Sequence, residues 1–418
     1  MGVRGPNLAL FYRLRSIGGY DGVLWRKTMT ANPILGVLLH WIGGLAAASF
    51  YIPYRAVKRW SWETYWLVGG VFSWIIMPWL AASLLVPDLG KILGSAPKET
   101  IFWAYLFGAL WGIGGLTFGL TMRYLGIALG MAVALGFTAI FGTLIPPIFH
   151  GELGGIVASH PGKFIMLGVL MSVVGIAVSG MAGMSKEREL TTEQKLASVK
   201  EFDFRKGMLI ATFSGIMSSC MAFGLDAGSK ITESAKAHLV AHGSADIWSG
   251  LPILIVVLMG GFTTNFLWCV FLNVRNGSGV EYLGGTARGA DDRPDTSSQV
   301  QDPHAGTGGV ATLPAQAAQG TAAPLAVNYV FSALAGITWY LQFFFYTMGQ
   351  TKMGAYSFSS WTLHMASIMI FSTLWGIALK EWAGSGSRTR MLVGLGLTAL
   401  IASTVIIGYG NLLKVGVK

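Results

Sequence analysis

Stretches of about 20 apolar residues, each long enough to cross a hydrocarbon core about 30 Å thick as a helix, recur from one end of this chain to the other. No other feature limits the fold so strongly. Backbone polar groups in lipid have to be satisfied by the chain itself, which leaves only helices and closed barrels. A barrel would show alternating segments about ten residues long, and the chain has none. Charge agrees with this reading: 11% of the 418 residues are charged, against about 25% in a soluble domain. The expectation is an all-α integral membrane protein with ten transmembrane helices, at roughly 33–52, 65–86, 101–121, 124–149, 163–184, 207–227, 250–273, 326–349, 353–379 and 391–413.

Lys and Arg in the connections fix an expected orientation, because cytoplasmic loops carry the excess. The loops after the odd-numbered spans hold sixteen, and the remaining loops with the C-terminal tail hold eight. Odd loops should therefore be cytoplasmic and both ends of the chain external. Arg4, Arg13, Arg15, Arg26 and Lys27 conflict with that placement, and the conflict vanishes if the start is Met29. Residues 1–28 have no continuous apolar core, so they are read as a non-native or disordered extension, not a secretory signal. Residues 185–206 mix basic and acidic side chains and read as a cytoplasmic connector. Residues 274–325 are poor in large apolar residues and are expected to be disordered.

The connector divides the spans into two sets of five, 29–184 and 207–415, and an odd number forces the sets into opposite orientations. Two inverted five-helix repeats would place a binding site at their interface. A short internal match agrees: Tyr124-Leu-Gly126-Ile-Ala128 is followed by Glu152, and Met353-Gly354-Ala355-Tyr356 by Glu381. The net charge of +10 is spread over loops with no basic block, so it is a matter of topology and not of nucleic-acid binding. Cys220 and Cys269 lie in apolar stretches and form neither a disulfide framework nor a metal site. No Walker loop, metal-spaced cluster or nucleophile elbow occurs, which argues against an enzyme or an ATP-driven pump.

Several strings carry a more specific signal. They are Lys58-Arg-Trp-Ser-Trp-Glu-Thr64, Gly119-Leu-Thr-Met-Arg-Tyr-Leu-Gly126 and Trp339-Tyr-Leu-Gln-Phe-Phe-Phe-Tyr346, with Ser360-Trp361, Leu363-His364-Met365 and Leu379-Lys-Glu-Trp382. Through them the chain, from Met29 to about residue 415, resembles the bacterial L-rhamnose/proton symporter family within the drug/metabolite transporter superfamily. The resemblance implies proton-coupled import of a monosaccharide, L-rhamnose or a related deoxysugar, across the bacterial inner membrane. It implies no cofactor beyond the proton gradient, and sugar, protons and lipid as partners. An exporter of drugs or metabolites on the same fold is the alternative. Two departures bear on the sugar: Gly115-Leu116-Thr117-Phe118 replaces Asn-Ile-Asn-Tyr, and Asp226 replaces Asn.

Symport of this kind needs a titratable group reachable from each side and polar groups that match hydroxyls. Ionisable residues at membrane depth are costly and therefore functional candidates. His40, His364 and Asp226 are the candidates for proton coupling, the histidines because imidazole titrates near pH 6.5. Ser357, Trp361 and His364 share one helical stripe. Trp339, Gln342 and Tyr346 share another, where rings could cover the apolar face of a pyranose and the Gln342 amide could meet hydroxyls. Asn265 joins the sugar-binding set, with Thr138 a weaker candidate; the alternative for both is a bond between helices. Trp60, Trp62 and Trp66 read as an aromatic belt at the bilayer surface.

Overall fold

The computed structural model describes residues 31–189, 203–285 and 324–416, and every regular element among them is helical. The long helices are α1 (Pro33–Ser49), α2 (Trp62–Leu85), α3 (Lys98–Leu125), α4 (Ile127–Phe149), α5 (His160–Glu189), α6 (Phe204–Ala227), α7 (Leu251–Asn276), α8 (Leu325–Lys352), α9 (Ser360–Ala378) and α10 (Ser387–Gly416). Nine of the described helices are long and apolar enough to cross a membrane; α8 is outside that set. Its 28 residues reach about 42 Å, but it carries Asn328, Ser332, Gln342, Thr347 and Lys352, all turned into the protein. The fold is thus an all-helical, multi-pass membrane protein.

Local chemistry sets the helix ends. Asn32 caps α1 by accepting from the Leu35 amide at 3.1 Å, and Pro33 takes the first helical position, where no amide donor is needed. Asp203 caps α6 in the same way. Only Gly126, with φ of 79°, separates α3 from α4; that conformation is costly for residues with a Cβ. Within α2 the helix widens into a π turn at Val71–Ile76, just before Pro78. Pro lacks the donor that an α turn would use, and the widened turn carries Trp74, which is buried.

The packing has a recurring pattern. Helix α3 runs antiparallel along α6, with Gly114 against Ser218 and Ala104 against Gly224, and α8 runs antiparallel along α1, with Gln342 against Gly43 and Gly349 against His40. Helix α4 lies parallel to α6, with Ala134 against Gly215 and Thr138 against Ser219, and α9 parallel to α1, with Ser367 against Gly44 and Trp375 against Ser49. Helices α5 and α10 pair with each other. The start of α1, the end of α10 and the α8–α9 turn meet at one end of the bundle, where Gly354 faces Ala31 and Val415. At the opposite end lie the α1–α2, α7–α8 and α9–α10 connections.

Two expectations are corrected at that opposite end. Residues 274–285 were expected to be disordered, yet α7 continues to Asn276 and a tight 3-10 helix follows at Ser278–Leu283, with Ser278 and Glu281 buried. Polar contacts hold this segment, not apolar burial, so composition did not signal it. Trp60, Trp62 and Trp66 are buried within the protein. The Trp60 indole donates to the Glu281 carbonyl at 3.0 Å, and Trp62 stacks on Trp66 at 5.5 Å. Residues 1–28, most of the 185–206 connector and residues 286–323 lie outside the described residues.

Candidate functional site

The middle of α8 is where the sequence-predicted residues come together. Tyr346 is the centre: its ring lies 5.3 Å from His40 of α1, 5.2 Å from His364 of α9 and 5.9 Å from Trp361 of α9. Phe343 stands 5.7 Å from His364 and 5.3 Å from Trp339. Trp339 meets Trp74 of α2 at 5.3 Å and Trp111 of α3 at 5.8 Å. The aromatic wall therefore draws on both halves of the chain. His40, Gln342 and His364 are wholly enclosed, and Trp361, Tyr346 and Trp339 are at most 3% exposed.

Polar groups in this wall divide into two kinds. Trp361 donates its indole N–H to the Thr138 carbonyl at 2.9 Å and rests where Gly142 has no Cβ, which fixes α9 on α4. By contrast, both ring nitrogens of His40 and both amide atoms of Gln342 meet no hydrogen-bond partner among the described residues. Buried polar groups are nearly always paired, and leaving one unpaired costs about 1–3 kcal/mol. Orphaned donors and acceptors beside flat aromatic faces are suited to a hydroxyl-bearing ligand. A cavity of about 10 Å³ lies beside Trp74 and Trp339, lined also by Trp66 and Gly336. That is room for about one water, so a sugar enters only if the helices part.

A polar latch closes the bundle at the end that carries the α1–α2 loop. The Glu281 carboxylate accepts from the Ser61 amide, the Ser61 hydroxyl and the Thr64 hydroxyl, each at 2.7 Å. Glu63 accepts from Ser278 at 2.6 Å and from Asn276 at 2.9 Å. Asn328 of α8 pairs with both backbone groups of Lys58. Burial holds the Glu281 carboxyl above its ordinary range, although its three donors favour the charged form. The Lys58–Thr64 string thus forms this latch. Glu281 escaped sequence reasoning because it falls in the stretch read as disordered.

The other candidates are placed differently. Asn265 accepts from the Trp66 indole at 3.3 Å and donates to the Gly261 carbonyl at 3.0 Å, so it ties α7 to α2. Thr138 bonds the carbonyls of Ala134 and Gly215 and joins α4 to α6. Asp226, at the end of α6, pairs with His150 at 2.9 Å and is partly exposed. It stands outside the aromatic cluster, on the side away from the latch. Trp74 and Trp111 complete the cluster and were missed; the only sequence signal was an aromatic residue within a span, a feature too common to single them out.

Fold and site define a multi-pass membrane protein with an enclosed aromatic and polar centre between its helices. Comparison with known proteins narrows the class. The family model for the L-rhamnose-proton symport protein matches residues 29–279 and 308–412. An L-rhamnose-proton symporter of Pectobacterium atrosepticum is 36% identical over 383 residues, covering 91% of this chain and 99% of that protein. Proteins of the same name from Yersinia pestis and Yersinia pseudotuberculosis are 35% identical over 379 residues, covering 90% of this chain and 98% of each relative. The chain belongs to the L-rhamnose-proton symport family, which is a family of transporters and not of enzymes.

Proposed function

We propose that this chain imports L-rhamnose, or a closely related deoxysugar, together with protons across the bacterial inner membrane. The observation that carries the reading is the pairing of orphaned polar groups on His40 and Gln342 with the rings of Tyr346, Trp361 and Trp339. Hydroxyls of the sugar satisfy Gln342 and His40, while the rings cover its C–H face and methyl group. His364 and His40 flank Tyr346 and are the proton-coupling groups; Asp226 with His150 lies on the outer approach to them. The relatives' names support this substrate, and nothing in the comparisons supports the exporter alternative. The Thr117 hydroxyl is engaged by its own helix at 3.0 and 3.1 Å, so it is poorly placed to stand in for an amide in binding sugar. That loss is why related deoxysugars stay within the proposal.

Ten crossings arranged as two inverted repeats, α1–α5 and α6–α10, fit this function. The pairings of α3 with α6 and of α8 with α1, and of α4 with α6 and of α9 with α1, are what such a repeat would produce. In this arrangement the latch is cytoplasmic and the enclosed site opens alternately to either side. The test is uptake of radiolabelled L-rhamnose into proteoliposomes with and without an imposed inward proton gradient. Accumulation that needs the gradient is expected; uptake indifferent to it, or none, refutes the reading. Orientation is tested separately, because a C-terminal alkaline phosphatase fusion should be active and a C-terminal green fluorescent fusion dark.

A further inference from the structure

At the end of the bundle opposite the latch, three side chains outside the sugar site converge. Asp88 follows α2, and a short helix, Leu89–Ser95, begins right after it. An amphipathic helix, Ser229–Ala241, joins α6 to α7 and packs against that short helix. His238 lies in the last turn of this second element and His242 follows it as the C-cap, with the two rings nearly parallel and 6.5 Å apart. His238 Nδ1 lies 3.5 Å and His242 Nε2 lies 3.4 Å from the same oxygen, Asp88 Oδ2. All three donor atoms lie within 4.8 Å of one another.

These distances are longer than the usual N–H···O hydrogen bond of about 2.7–3.2 Å, although within reach of an ion pair. They match the spacing of two donors on one tetrahedral cation: metal bonds of about 2.0–2.1 Å place neighbouring ligand atoms about 3.3–3.4 Å apart. His242 Nδ1 lies 2.8 Å from the His238 carbonyl, which can only accept, so Nδ1 carries a proton and Nε2 is the nitrogen turned toward Asp88. This backbone contact is the outer-shell arrangement that orients ligating histidines. Lys91 engages the other oxygen, Asp88 Oδ1, at 3.0 Å, which leaves Oδ2 turned toward the imidazoles. Asp88 itself sits at φ of 56°, a strained conformation for a residue with a side chain and one that recurs at ligand sites.

We propose that Asp88, His238 and His242 form a binding site for a divalent transition-metal cation of the zinc class. Two imidazoles and one carboxylate select such a cation over the oxygen-preferring Mg²⁺ and Ca²⁺. The site is partly exposed, which leaves a fourth position to water. Because the ligands come from the segment after α2 and the segment after α6, a bound cation ties the two halves of the chain together at this end of the bundle.

The test uses the full chain, freed of any histidine tag, stripped with chelator and reconstituted in lipid nanodiscs. Titration with Zn²⁺ by calorimetry should give one site per chain. Co²⁺ should give the visible absorption of a tetrahedral, nitrogen-ligated ion, displaced by Zn²⁺. The double variant H238Q/H242Q and the single variant D88N should each weaken binding by at least about 10- to 100-fold, the loss that even an outer-shell partner produces. His160→Gln, which alters an exposed histidine elsewhere, should leave it unchanged. These positions lie at the surface, and an unchanged thermal midpoint without metal verifies that each variant is folded. Zn²⁺ affinity retained in the double variant, absence of saturable binding in the parent chain, or a Co²⁺ spectrum of the hexa-aqua type would each overturn the proposal.

Discussion

Gln342→Leu separates ligand binding from structural support. The native side chain is fully enclosed, and neither its Oε1 nor its Nε2 meets a hydrogen-bond partner among the described residues. Leucine fills nearly the same volume without polar atoms. Removing a buried, unpaired amide relieves a penalty of about 1–3 kcal/mol, so the sugar-free variant should melt at a higher temperature than the parent. Sugar affinity should fall, because in the proposed site the hydroxyls that Gln342 meets would then face a methyl group: a loss of about 1–3 kcal/mol, or about 5- to 150-fold in Kd. Differential scanning fluorimetry in detergent and calorimetric L-rhamnose binding give the two numbers. The opposite signs of the two effects are the signature of a ligand-facing residue. A variant that melts lower, or one that binds sugar as tightly as the parent, would refute the reasoning, since Gln342 would then be bonding helix to helix.

His364→Gln keeps hydrogen-bonding capacity and removes titration, so sugar exchange between equilibrated compartments should survive while proton-driven accumulation disappears; a variant that still accumulates would move the proton site to His40 or Asp226. Glu281 gives a pH dependence whose sign follows from its raised pKa: the folded protein carries a penalty above that pKa, relieved as pH falls through it and absent below the unfolded value. The parent's thermal midpoint should therefore rise on acidification from pH 7 toward about 5 relative to Glu281→Gln, and parallel curves would contradict the buried latch. Replacing residues 288–318 by a short Gly-Ser linker should leave uptake and melting unchanged, because Gly284 and Leu325 are already neighbours. Deleting 278–283 should instead destabilise the protein measurably.

Sequence patterns that depend on one element alone were legible, and those that depend on several were not. Span positions follow from runs of apolar residues, so the long helices fall close to the expected places. The faces of α8 and α9 follow from helical spacing, and Trp339, Tyr346, Trp361 and His364 do share one centre with His40, with Gln342 enclosed on the same helix. Spacing could not show that Asn265 is held by Trp66, because the bond crosses helices almost two hundred residues apart. The latch was hidden for a related reason. Glu281 is stabilised by donors from the α1–α2 loop, and composition registers only whether a segment can bury apolar surface. Trp60, Trp62 and Trp66 satisfy equally well the pattern of a lipid-facing belt and that of a buried ladder; only the partner helices decide.

The polarity of α8 has a consequence for how the protein is made. Alone in lipid, this helix would expose the hydrogen-bonding atoms of Asn328, Ser332, Gln342, Thr347 and Lys352, all of which are shielded in the finished bundle. Release into the bilayer as an independent segment is therefore unfavourable during synthesis. The helices that shield it, α1 and α2, leave the ribosome long before it, whereas α9 follows within a few residues. In the proposed ten-crossing arrangement, stable integration of α8 becomes a recruitment step: the nascent segment has to dock on helices already in the membrane. Ribosome-bound chains arrested shortly after Lys352 should keep α8 extractable by alkali if α1 and α2 are deleted, and resistant to it when they are present.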